Sequence, residues 1–104
     1  MHSIVLVDDH AIVREGFKRL IELEPDLEVV AECRSADDAV EAVGHWRPDL
    51  VALDLSLPDG SGLPLIEHLL SVHAATLVVV LSMHDGDPYV TEALRRGASG
   101  FVTK

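Results

Sequence analysis

Asp8, Asp9, Asp54, Ser82 and Lys104 each stand at the end of an apolar run. Asp8 and Asp9 follow Ile4-Val5-Leu6-Val7, and Asp54 follows Leu50-Val51-Ala52-Leu53. Ser82 follows Leu77-Val78-Val79-Val80-Leu81, and Lys104 closes Gly100-Phe101-Val102-Thr103. If the runs are strands of one parallel sheet, these residues share the edge at the strands' carboxyl ends, where open α/β sheets bind ligands. Carboxylates, a hydroxyl and an ammonium gathered there can hold a divalent cation and a phosphoryl group.

Clustered carboxylates repel one another. Either one carries a proton or a cation sits between them. Mg²⁺ suits such a place, because it takes one or two carboxylates, waters and a phosphate oxygen. An aspartate beside the cation can attack phosphorus and form an acyl phosphate, and Asp54 is placed for this role. Phosphoryl transfer asks mainly for positioning and charge neutralisation. Lys104 offers a mobile point charge, and Ser82 offers a hydrogen bond to the same oxygens. Taken alone, each residue has a plainer reading. Asp8-Asp9 would cap the following helix, Asp54 and Ser82 would be ordinary strand ends, and Lys104 a solvated terminus. Their joint placement carries the argument.

The elements that must position them follow from periodicity. Apolar runs begin near Ser3, Leu27, Leu50, Thr76 and Ser99, a rhythm of roughly 25 residues that matches βαβ units. Right-handed crossovers then give a doubly wound sheet. The spacing predicts a first helix over Ala11–Leu23, with Ile12, Val13, Phe17, Leu20 and Ile21 as its apolar stripe and Pro25 beyond its end. A second is predicted over Ala36–Trp46, capped by Ser35, with Asp37 and Asp38 in its first turn and Ala39, Val40 and Val43 inward. A third starts near Gly62 to Pro64 and carries Leu65, Ile66, Leu69 and Leu70. A fourth starts near Pro88 and stops at Gly97. The segment Leu57-Pro58-Asp59-Gly60-Ser61-Gly62 reads as a turn, with Asp59 part of that turn. The loop Asp8-Asp9-His10-Ala11 lacks glycine and cannot wrap a pyrophosphate, which disfavours nucleotide cofactors.

Composition narrows the function classes. The 104 residues suffice for one domain. A hydrophobic fraction of 48% suits strands buried on both faces. A net charge of −10 argues against nucleic-acid binding by this chain. Cys33 is the only cysteine, which fits a reducing cytoplasm. No i, i+4 histidine pair is present, so a zinc site on one helix is not expected. His10 reads as an N-cap or near-surface residue. Neither a signal peptide nor a membrane span is expected. The chain stops at Lys104, directly after the fifth apolar run. A doubly wound sheet of this kind needs a final helix beside the first, so a C-terminally truncated domain is expected, with exposed apolar surface that favours a homo-dimer.

The segments Leu6-Val7-Asp8-Asp9-His10, Asp49-Leu50-Val51-Ala52-Leu53-Asp54-Leu55, Leu57 to Gly62, Leu81-Ser82 and Gly97 to Lys104 carry a resemblance over essentially the whole chain. In order, they resemble the receiver domain of two-component response regulators. The Asp-Asp-His opening, Arg14-Glu15-Gly16-Phe17 and the Gly-Ala-Ser-Gly-Phe ending look like the NarL/FixJ-type subgroup. Leu23 to Leu27 followed by Val29-Val30-Ala31-Glu32 is similar to its hexose-phosphate-uptake regulators.

The resemblance implies a five-stranded parallel sheet of flavodoxin-like order 2-1-3-4-5, here without the C-terminal helix. It implies Asp54 as phosphoacceptor, Asp9 as direct Mg²⁺ ligand and Asp8 as the acid acting largely through water. Ser56 would lend its backbone carbonyl to the metal, and Ser82 and Lys104 would engage the phosphoryl group. Phe101 matches an aromatic switch, or else is a core residue of the edge strand. Met83 follows Ser82 where the family often has a smaller residue, and could narrow access to the site. His84, like Ser56, flanks the phosphoryl position and could tune hydrolysis, or His84 is an exposed loop residue.

The expected function is a phosphorylation-controlled switch. A sensor histidine kinase donates the phosphoryl group, and the switch controls an output domain, in this subgroup a DNA-binding one, in a longer parent. The chain is then a phosphoacceptor rather than an enzyme with a substrate. Two rivals stand beside this reading. One is a Mg²⁺-dependent phosphohydrolase working through an aspartyl phosphate. Such an enzyme usually needs an acid near the nucleophile, and Leu55 and Ser56 supply none. The other is an interaction module of the same fold that is never phosphorylated.

Overall fold

The computed structural model describes residues 1–57, 62–82 and 88–103. Five strands and four helices alternate: β1 His2–Val7, α1 Ala11–Glu22, β2 Leu27–Cys33, α2 Ala36–Trp46, β3 Leu50–Asp54, α3 Gly62–Val72, β4 Leu77–Ser82, α4 Pro88–Arg95 and β5 Gly100–Thr103. All four strand pairings are parallel and the order is β2-β1-β3-β4-β5. The doubly wound sheet expected from the sequence is therefore present. Among the described residues no helix follows β5.

The two faces of the sheet are packed unequally. Strand residues alternate between faces, so Val5, Val7, Val51, Leu53, Val78 and Val80 point to one side. There they meet Ala39 and Val43 of α2, Leu65, Ile66 and Leu69 of α3, and Ala93 of α4 in one buried cluster. Ile4, Leu6, Ala52 and Leu81 point to the other side, against Phe17 and Ile21 of α1. No residue of α1 is fully buried. The apolar positions of α1 divide between covered and exposed, in keeping with the exposed apolar surface expected beside this helix. Val13, Phe17 and Ile21 lie along one i, i+4 line and are partly covered, whereas Ile12 is 89% exposed and Leu20 is also exposed. One residue is a turn of about 100°, enough to carry Ile12 and Leu20 off the covered line.

Helix ends follow local chemistry. The Ser35 hydroxyl accepts a hydrogen bond from the Asp38 amide at 3.2 Å, closing the N-terminus of α2. Beyond α4, Gly97 has φ +115°, and a Cβ there would come within 2.6 Å of Leu70 Cδ1 on α3. Only glycine meets both conditions without strain.

Candidate functional site

Register builds the site. The parallel pairing of β1 with β3 sets Val7 opposite Leu53, so the next residues, Asp8 and Asp54, emerge side by side. The pairing of β3 with β4 sets Asp54 opposite Leu81, which brings Ser82 to the same edge. Asp8 and Asp54 are each only 1% exposed, and Ser82 is buried. Asp9 is partly covered. One ligand atom from each of Asp8, Asp9, His10 and Asp54 lies within 4.8 Å of the others.

Each acid is held by its neighbours. The Asp8 amide donates to the Cys33 carbonyl at 2.9 Å, tying the β1–α1 loop to the end of β2. Asp8 Oδ1 accepts the His10 amide at 2.8 Å. Asp54 Oδ1 accepts the Ser56 amide at 2.9 Å and the Ser56 hydroxyl at 2.7 Å. These bonds fix one oxygen of each carboxylate. The reading of Asp8-Asp9 as a helix cap does not hold. His10 occupies the N-cap of α1, with no side-chain cap bond, and the first turn of α1 contains no acid.

Three residues matter here beyond what the sequence suggested. His10 is at the surface, as expected, but its ring leans over the acids. Its Nδ1 lies 3.2 Å from Asp8 Oδ1, 3.3 Å from Asp9 Oδ1 and 4.0 Å from Asp54 Oδ2. The only sequence signal was its place directly after the acidic pair. Arg14 donates through Nη1 to the Asp8 carbonyl at 2.7 Å and through Nε to Glu32 Oε1 at 3.3 Å, bracing the acidic loop against β2. Gly62 opens α3, and a Cβ there would lie 2.7 Å from the Leu55 carbonyl oxygen, so the backbone beside Asp54 needs a glycine opposite it.

The remaining predicted residues divide in two. Phe101, paired with Val80, is 44% exposed, so it is a surface residue and not part of the core. Lys104, Met83 and His84 lie outside the described residues, as do Pro58, Asp59, Gly60 and Ser61.

With this geometry in view, comparison with known proteins is decisive. The model of the response regulator receiver domain matches residues 4–104. The chain belongs to this family. It is 41% identical over 102 residues to the transcriptional regulatory protein DegU of Brevibacillus brevis, covering 98% of this chain and 43% of that one. It is 43% identical over 104 residues to the transcriptional regulatory protein UhpA of Salmonella typhimurium, covering 100% of this chain and 52% of that one. The receiver also superposes on a LuxR-family two-component response regulator from Aurantimonas with a TM-score of 0.93 at 41% identity, over 100% of this chain and 74% of that one. These relatives place it among receivers of the NarL/FixJ type. The chain spans about half the length of the curated relatives it matches. Among the described residues no helix is long and apolar enough to cross a membrane.

Proposed function

We propose that Asp54 accepts a phosphoryl group from a sensor histidine kinase, and that the resulting charge switches the surface that controls a transcriptional output domain. The observation that carries this is the burial of Asp54 beside Asp8 at the carboxyl edge of the sheet, with ligand atoms of both acids and of Asp9 within 4.8 Å. The donor set fits Mg²⁺, since its carboxylate oxygens are hard ligands at close quarters. Asp8, Asp9 and Asp54 would hold the ion with the Ser56 carbonyl. When bound it supplies positive charge that offsets the crowded carboxylates and the incoming phosphoryl oxygens.

The chain's own part is nucleophilic. An Asp54 carboxylate oxygen attacks phosphorus, the new P–O bond forms, and the P–N bond to the donor histidine breaks with its electron pair returning to the imidazole nitrogen. Ser56, bonded to Asp54 Oδ1 by amide and hydroxyl, orients the carboxylate for the attack. Ser82 and Lys104 are the proposed contacts of the phosphoryl oxygens. Phe101 on β5 is the proposed aromatic reporter of that change. Met83 and His84 are proposed to set water access and with it the lifetime of the acyl phosphate. The reading places the protein in the cytoplasm. Self-association through the exposed apolar residues of α1 and β5 belongs to it, and a concentration-independent monomer mass would remove that part.

The test is intact mass after incubation with Mg²⁺ and acetyl phosphate. A gain of one phosphoryl group, absent in Asp54→Asn and without Mg²⁺, supports the reading. No gain on folded protein favours an interaction module, and sustained turnover of ordinary phosphate esters favours a phosphohydrolase.

A further inference from the structure

We infer that His10 supplies a nitrogen ligand at this acidic site, so that the site takes divalent d-block cations such as Co²⁺ with a donor that Mg²⁺ does not use. The inference rests on the reading of Asp8, Asp9 and Asp54 as a cation site and adds the class of metal and a fourth residue. His10 Nδ1 stands 3.2, 3.3 and 4.0 Å from oxygens of Asp8, Asp9 and Asp54. Ligands about 2.1 Å from one ion are roughly 3.0 Å apart when at right angles and about 4.2 Å apart when opposite. The three separations fall within that span.

The approach is built by the backbone. The Asp8 carboxylate takes the His10 amide at 2.8 Å, which folds the loop so that the ring lies above the acids. Arg14 fixes the same loop through the Asp8 carbonyl. The ring is 61% exposed, makes no cap bond to α1, and turns its Nδ1 toward the acids. Imidazole suits Co²⁺, Ni²⁺ and Zn²⁺, whereas Mg²⁺ is served by carboxylate, carbonyl and water. The imidazole thus discriminates between cation classes at a site where carboxylates alone bind both.

The experiment is calorimetric titration of Mg²⁺ and of Co²⁺ into the wild-type chain, His10→Ala, His10→Asn and Asp9→Asn, with the visible spectrum of bound Co²⁺ recorded in each. Removing the imidazole should weaken Co²⁺ about tenfold or more and leave Mg²⁺ within about twofold. The bound Co²⁺ spectrum should change in both His10 variants. His10→Asn keeps a good N-cap residue and guards against a folding defect in His10→Ala. Co²⁺ affinity that is unchanged, raised, or lowered in step with Mg²⁺ overturns the inference. In that case His10 only hydrogen-bonds to the acids or competes with the metal. Failure of the wild type to bind Mg²⁺ would instead remove the receiver reading of the site, while the Co²⁺ titrations would still decide the role of His10. Asp9→Asn should weaken both ions.

Discussion

Asp49 and Asp54 flank the same short strand and have opposite fates. Asp49 precedes β3 at the amino edge of the sheet, and its Oδ2 accepts the Ser3 amide at 2.8 Å. His2 Nδ1 lies 3.6 Å from the same oxygen. The Ser3 amide, helped by His2, holds the Asp49 carboxyl below its ordinary 3.8. Asp54 closes the strand at the carboxyl edge, 1% exposed, with Asp8 and Asp9 beside it. Both carboxylates take backbone hydrogen bonds. They differ in solvent access and in the crowding of other acids. An exposed acid beside donors is a brace. A buried acid among acids is chemically loaded, because a cation or a phosphoryl group changes its energy strongly.

The largest contrast is chemical. Asp54→Asn should abolish phosphoryl uptake from acetyl phosphate, and Asp49→Asn should leave it intact, both read by intact mass. Equal loss in both would show that the two ends of β3 are coupled.

Next in size is the backbone beside Asp54. Gly62→Ala places a Cβ 2.7 Å from the Leu55 carbonyl oxygen. Urea denaturation should show a loss of about 2 kcal/mol, and phosphoryl uptake should slow as the Asp54–Ser56 segment shifts. Gly16→Ala, where no atom lies within 4 Å of the added carbon, is the control. It should be neutral or slightly stabilising.

A smaller effect has the opposite sign at the two ends. Without divalent cations, Asp9→Asn removes one carboxyl from a crowded acidic cluster and should raise stability by about 1 kcal/mol. Asp49→Asn removes an acid that has donors and should lower stability. Thermal denaturation of both variants gives the signs, and a loss in Asp9→Asn would mean that the hydrogen-bonding contacts of Asp9 outweigh the crowding.

The smallest effect is in acid. Because the folded value of Asp49 lies below 3.8, the unfolded chain binds the proton more tightly. The contribution is present in full above 3.8 and is lost as the pH falls through the lowered folded value. Stability against pH should therefore fall less steeply in acid for Asp49→Asn than for the wild type.

Much of this arrangement was legible before folding. Apolar runs of strand length, separated by helical stripes, determined the βα order, because period and length are local properties. Asp8 and Asp54 each followed directly on such a run, which marked the carboxyl edge. The bounds of α2 and its Ser35 cap were read correctly because capping is a contact within four residues.

Tertiary structure alone decided which local signals became contacts. The pairing of Val7 with Leu53 turned two separate strand ends into adjacent carboxylates. The close approach of Gly62 to Leu55 gave that glycine its purpose. The direction of the His10 ring and the Arg14 bond to the Asp8 carbonyl depended on how the loop lay against β2. The sequence named the groups. Register and burial set their distances and surroundings, and in a crowded, water-poor site these decide which charge is tolerated and which ligand is taken.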